Sequence, residues 1–93
     1  MQAFNCLIID DSAPDALLLQ HQLADLTLFN KITTCHTFAE AFAALTQHTF
    51  SLVFLDVELG NDNGLDLLQA IVTLPPVIVT TAHDRYAVQC FGT

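Results

Sequence analysis

The chain has 93 residues, enough for one domain built around one small hydrophobic core. It is 53% hydrophobic and 13% charged, a balance that excludes disorder and a highly charged coiled coil. Ten carboxylates face two cations, Lys31 and Arg85, for a formal charge of −8; with no clustered Lys or Arg, direct nucleic-acid binding is excluded and a polybasic membrane anchor disfavoured.

Phe4 to Ile9 is a nearly continuous apolar run, as expected of a strand covered on both faces, and Asp10-Asp11 follow it directly. Ser12 is placed to cap a helix, with Pro14 in the first turn and Asp15 three residues on. Ala16, Leu19, Leu23 and Leu26 then form one apolar stripe. Lys31 to His36, with β-branched Ile32-Thr33-Thr34, predicts an outer strand. Thr37 with Glu40 opens a second helix, on which Phe38, Phe42 and Leu45 share a face.

Ser51 to Leu55 is the most apolar strand, and Asp56 stands at its end. Glu58 to Asn63, with Gly60, predicts a turn-rich connection. From Asn63 or Gly64 a third helix is expected, with Leu65, Leu68 and Val72 inward, until Pro75-Pro76 breaks it. Val77 to Thr80 is the fourth strand, and Ala82 to Phe91 reads as a fourth helix. Four strand–helix repeats predict an α/β fold: an open, mainly parallel sheet with helices on both faces.

No apolar stretch approaches the ~20 residues of a membrane span, and the N-terminus lacks a signal peptide's basic segment, so a soluble, cytoplasmic protein is expected. Cys6, Cys35 and Cys90 are too widely spaced for a disulfide framework or a zinc site and read as buried thiols. His21, His36, His48 and His83 lack metal-site spacing and read as surface or interface residues; His83 alone borders the strand-end region.

Ligands of open α/β sheets bind beyond the carboxyl ends of the strands. Asp10, Asp11, Asp56 and the Thr80-Thr81 pair all fall there. Each alone is also what a helix cap or a solvated strand end looks like. Together, with the first and third strands adjacent, the aspartates form a pocket in which the carboxylates repel one another. A hard divalent cation such as Mg²⁺ relieves that repulsion, and one carboxylate is then free to act as a nucleophile toward phosphorus.

The segments CLIIDDSAPDALLLQHQL, LVFLDVELGNDNGLDLL and PPVIVTTAHDRYAVQCF make the chain recognisable. They resemble the first, third and fourth strand regions of the CheY-like receiver domains of two-component response regulators, in particular receivers of LytTR-type transcription regulators. The resemblance implies a flavodoxin-like receiver fold with strand order 2-1-3-4. It implies Asp56 as phospho-acceptor from a sensor histidine kinase and Asp11 as direct Mg²⁺ ligand. It further implies that Asp10 acts mostly through metal-bound water and that the Glu58 carbonyl matches a further coordinating position. Thr81 matches the switch hydroxyl and Ala82 the small residue beside it, while the Glu58 side chain sits where phosphoryl lifetime is tuned.

Two departures qualify this resemblance. Gly60 stands where the family usually has proline, so a less pre-set loop is expected. The chain stops at Thr93, before the fifth strand with its phosphate-binding lysine and before the fifth helix; Lys31 does not match that lysine. The expectation is a C-terminally truncated receiver domain spanning 1–93, whose effector, DNA-binding in the longer protein, is absent. Its fourth strand would be an open edge, inviting a homodimer or domain swap. Two alternatives stand beside the phosphoryl switch. One is a degenerate receiver acting as an interaction or dimerisation module. The other is an aspartate-nucleophile phosphatase, for which the chain is too short and Glu58 replaces the expected second aspartate.

Overall fold

The first apolar run is a strand, β1 (Asn5–Ile9), buried from Cys6 to Ile9 because it lies inside the sheet with a neighbour on each side. The computed structural model describes residues 4–80 and 89–91. After β1 come α1 (Ala13–Asp25), β2 (Lys31–Cys35), α2 (Phe38–Gln47) and β3 (Leu52–Asp56). A hairpin of β4 (Glu58–Leu59) and β5 (Asp62–Asn63) leads into α3 (Gly64–Ala70), β6 (Val77–Thr80) and β7 (Gln89–Phe91).

The main sheet runs β2-β1-β3-β6-β7, so its four parallel strands take the order 2-1-3-4 when the short hairpin strands are set aside. Alternation along β1 divides the core. Cys6 and Ile8 pack with Ala16 and Leu23 of α1 on one face. Leu7 and Ile9 join Val53, Leu55, Val77 and Val79 under Ala41 of α2 and Leu67 of α3 on the other. Each large apolar side chain so enclosed contributes about 1.5–3 kcal/mol over an exposed one.

The helix starts follow their capping residues. Ser12 Oγ accepts the Asp15 amide at 3.4 Å, Thr37 Oγ1 accepts that of Glu40 at 3.1 Å, and Asn63 Oδ1 accepts that of Leu65 at 2.8 Å. Along the helices the inward faces differ in places from those the spacing predicts. Leu26, the C-cap of α1, is exposed. On α2, Ala41 is buried and Phe42 is not, because the face that meets the sheet runs through Phe38, Ala41 and Leu45. On α3 the buried residues are Gly64 and Leu67, with Ile71 at the C-cap; Leu65 turns outward, and Val72 lies beyond the helix, fully exposed.

The C-terminal end also corrects the sequence reading. Gln89–Phe91, expected as the last turn of a fourth helix, is a strand antiparallel to β6, with Val77 opposite Phe91 and Val79 opposite Gln89. Pairing explains the outcome: β6 would otherwise present a row of unmatched backbone donors and acceptors, which β7 satisfies. The fourth long strand is therefore covered within the chain rather than an open edge. Residues 82–88 of the expected helix lie outside the described residues. No helix among the described residues is long and apolar enough to cross a membrane.

Candidate functional site

Parallel register brings the strand ends level. Ile9 lies beside both Cys35 and Leu55, and Asp56 beside Thr80, so the residues that follow β1, β2 and β3 emerge at one edge of the sheet. There the carboxylate oxygens of Asp10, Asp11 and Asp56 lie within 4.8 Å of one another.

Each aspartate is held differently. Asp10 donates its amide to the Cys35 carbonyl at 3.0 Å, and its Oδ1 accepts the Ser12 amide at 2.9 Å. Asp11 is exposed, and its Oδ2 accepts the Gly60 amide at 3.0 Å. Asp56 is the buried member, and its Oδ1 accepts the Glu58 amide at 3.1 Å. Burial pushes the Asp56 carboxyl up to about 7, with the charge and hydrogen bond of Asp10 adding to it and the Glu58 amide opposing it. Asp10 is also raised, again first by burial. Burial, with the negative charge of Asp10 beside it, thus favours the protonated form of Asp56.

The loop after β3 is the turn-rich connection expected. It closes as a hairpin, with Glu58 opposite Asn63 and Leu59 opposite Asp62. Gly60 takes the first turn position at φ +63°, which proline cannot adopt. The loop is closed by a glycine turn and by its bond to Asp11.

Of the residues singled out in the sequence, Asp10, Asp11 and Asp56 come together. Glu58 joins them through its amide, and its side chain is exposed. Thr80 stands beside Asp56 with its hydroxyl aimed at the Leu55 carbonyl, at 3.5 Å. Thr81, Ala82 and His83 lie outside the described residues. Lys31 begins β2 and lines a groove with Asn5, Gln47 and His48 at the opposite end of the sheet. Two contributors escaped the sequence reading. Gly64 gives Asp56 its backing, and His36, read as a surface histidine, bonds to the Asp10 carbonyl at 3.0 Å. Its position just past the second strand was the available signal.

Three hard oxygen donors, one of them buried, fit a divalent cation, whose charge offsets the repulsion among them. The acidic cluster is able to coordinate such an ion.

An open parallel sheet with this acidic centre at its carboxyl edge defines a receiver-type α/β domain. The chain belongs to the response regulator receiver domain family, which it matches over residues 6–92. It is 36% identical to the sensory transduction protein LytR of Staphylococcus haemolyticus over 88 residues, covering 91% of this chain and 34% of that protein. The chain spans about a third of the length of the curated relatives it matches. Among solved structures it is similar to the MaeR response regulator bound to beryllium trifluoride (29% identity, TM-score 0.78, covering 87% of this chain and 69% of that one). It is also similar to a response regulator from Burkholderia pseudomallei with a phosphorylated aspartic acid, calcium ion and citrate (27% identity, TM-score 0.76, covering 87% and 48%). Its function is that of a receiver domain in phosphorylation-based signalling, and receiver domains of this family act as switches rather than as classical enzymes.

Proposed function

We propose that Asp56 is the phosphoryl acceptor of this chain, loaded from a sensor histidine kinase with Mg²⁺ bound at the acidic centre. One observation carries the reading: a buried carboxylate stands within reach of two others at the edge where the inner parallel strands end. In the reaction Asp56 acts as the ionised carboxylate. Its oxygen then bonds to phosphorus as the bond from phosphorus to the kinase imidazole nitrogen breaks, and that nitrogen keeps the electron pair.

Asp11 would hold Mg²⁺ directly, Asp10 through water, and Glu58 through its carbonyl. When bound, the ion supplies charge neutralisation at the phosphoryl oxygens. The Glu58 amide on Asp56 Oδ1 fixes which carboxylate oxygen faces outward. Thr81 would contact the phosphoryl group as the switch hydroxyl. Residues 1–93 form one receiver domain in this reading, acting in the cytoplasm on a DNA-binding effector in the longer protein. The β6–β7 pairing is one that two copies could exchange to form a homodimer.

Intact-mass measurement after incubation with Mg²⁺ and acetyl phosphate tests acceptance, with Asp56→Asn alongside. An adduct on the parent alone is expected. An equal adduct on Asp56→Asn would move the acceptor elsewhere. No adduct on the folded parent would overturn acceptance and leave the receiver as an interaction module.

A further inference from the structure

We infer that His36 is a positioning residue for the acidic centre, holding the peptide that joins Asp10 to Asp11. The inference rests on the reading of that centre as a Mg²⁺ site. The Asp10 main chain is gripped on both sides by the end of β2. Its amide donates to the Cys35 carbonyl at 3.0 Å, and its carbonyl accepts from His36 Nδ1 at 3.0 Å. A carbonyl oxygen only accepts, so Nδ1 carries the proton, and it does so whether the imidazole is neutral or charged.

The consequence is geometric. The Asp10 carbonyl belongs to the same planar unit as the Asp11 amide, so fixing its oxygen fixes the direction in which the Asp11 Cα and carboxylate leave the strand. One side chain thereby sets the relation between the two exposed-edge carboxylates, while Asp56 arrives from β3. His36 is itself anchored. Its amide donates to Glu40 Oε1 at 2.9 Å, and Glu40 donates its own amide to Thr37 Oγ1 at 3.1 Å in the cap of α2. The Glu40 carboxyl is held below its ordinary range, first by that His36 amide. A path of short bonds therefore runs from the start of α2 through His36 to the Asp10–Asp11 peptide.

Outer partners of metal ligands commonly change affinity by about 10–100-fold when removed. Acting through the main chain, His36→Ala should weaken Mg²⁺ binding by about 3–10-fold. Asparagine places an amide N–H near the position of Nδ1, so His36→Asn should recover affinity to within about 2-fold of the parent. Thr37→Ala provides the control. It removes the cap of α2 and lowers stability by about 1 kcal/mol while leaving the His36 bond to the Asp10 carbonyl in place, so Mg²⁺ affinity should fall by clearly less than in His36→Ala.

The experiment is a Mg²⁺ titration of parent, His36→Ala, His36→Asn and Thr37→Ala, followed by the amide resonances of Asp11 and Gly60, with a thermal melt of each. Loss in the alanine variant with recovery in asparagine supports the role. Parent-like affinity in His36→Ala, no recovery in His36→Asn, or an equal loss in Thr37→Ala overturns it and leaves the metal site standing. A parent that shows no Mg²⁺-dependent shift removes the site reading itself, and the His36 role with it. Should His36→Ala not fold, His36→Gln, whose amide sits one carbon too far out, replaces it as the weakened partner.

Discussion

Gly64 packs against the main-chain carbonyl of Asp56 so closely that a Cβ there would collide with that oxygen and sit 3.1 Å from the Val57 carbonyl. The first residue of α3 therefore backs the candidate phospho-acceptor, and a hydrogen bond from the Gly64 amide to the Val57 carbonyl fixes the approach. Backbone cannot yield as a flexible side chain can. Gly64→Ala should destabilise the domain by about 1–3 kcal/mol. It should also reduce phosphoryl acceptance beyond the fraction unfolded, because the shift is delivered to the main chain of Asp56. Urea unfolding and intact mass on the same sample check both effects; wild-type stability would show that α3 can move away at no cost.

Stability should depend on pH through Asp56. Its carboxyl sits at about 7 in the folded chain against an ordinary value of 3.8, chiefly because of burial. The folded state therefore binds the proton more tightly than the unfolded state. The contribution is complete below about 3.8 and is lost as pH rises toward about 7. Asp56→Asn removes this dependence while keeping an oxygen for the Glu58 amide. The variant should exceed wild type by roughly 1–3 kcal/mol near pH 8, and the gap should narrow near pH 5. Urea midpoints at the two pH values read the gap directly. Saturating Mg²⁺ should raise wild type at the higher pH and leave the variant nearly unchanged. A gap that does not vary with pH would remove burial of an ionisable Asp56 as its cause.

The long strands and the three aspartates were legible because each depends on a local pattern, whereas the strand order was implied by the resemblance to receiver domains. A strand buried on both faces reads as a continuous apolar run, and a carboxylate after it falls at the strand end. Helix phase was harder to read. Spacing alone makes Leu65, Leu68 and Val72 as good a stripe on α3 as Leu67 with its neighbours. The choice is made by Gly64, whose missing side chain lets the helix start touch Asp56, and a glycine carries no hydrophobic signal. On α2 the small Ala41 lies innermost for the same reason, while the larger Phe42 points away. Gln89–Phe91 failed differently. A short apolar segment fits a helix turn or a strand equally well, and the open side of β6 decided between them. For His36 the sequence offered only its place just past the second strand, because its bond is to a backbone oxygen 26 residues away.

Gly60 offers a last test of how the loop after β3 is held. Its φ of +63° is left-handed, and an added Cβ would meet nothing within 4 Å, so alanine there costs conformational energy alone. Gly60→Ala should lower stability by about 1–2 kcal/mol and keep the amide that Asp11 accepts. Gly60→Pro both forbids this φ and deletes the N–H, so the β4–β5 turn must rearrange and Asp11 loses its partner. The proline variant should therefore lose at least as much stability as alanine and, unlike alanine, bind Mg²⁺ with altered affinity. The direction of that second change separates two effects. Freeing Asp11 from the Gly60 amide leaves its oxygen available to a cation and strengthens binding, whereas losing the hairpin's hold on Asp11 weakens it. The loop and the cation would compete in the first case and cooperate in the second. Equal Mg²⁺ affinity in parent, alanine and proline variants would show that the 3.0 Å bond contributes nothing to the site.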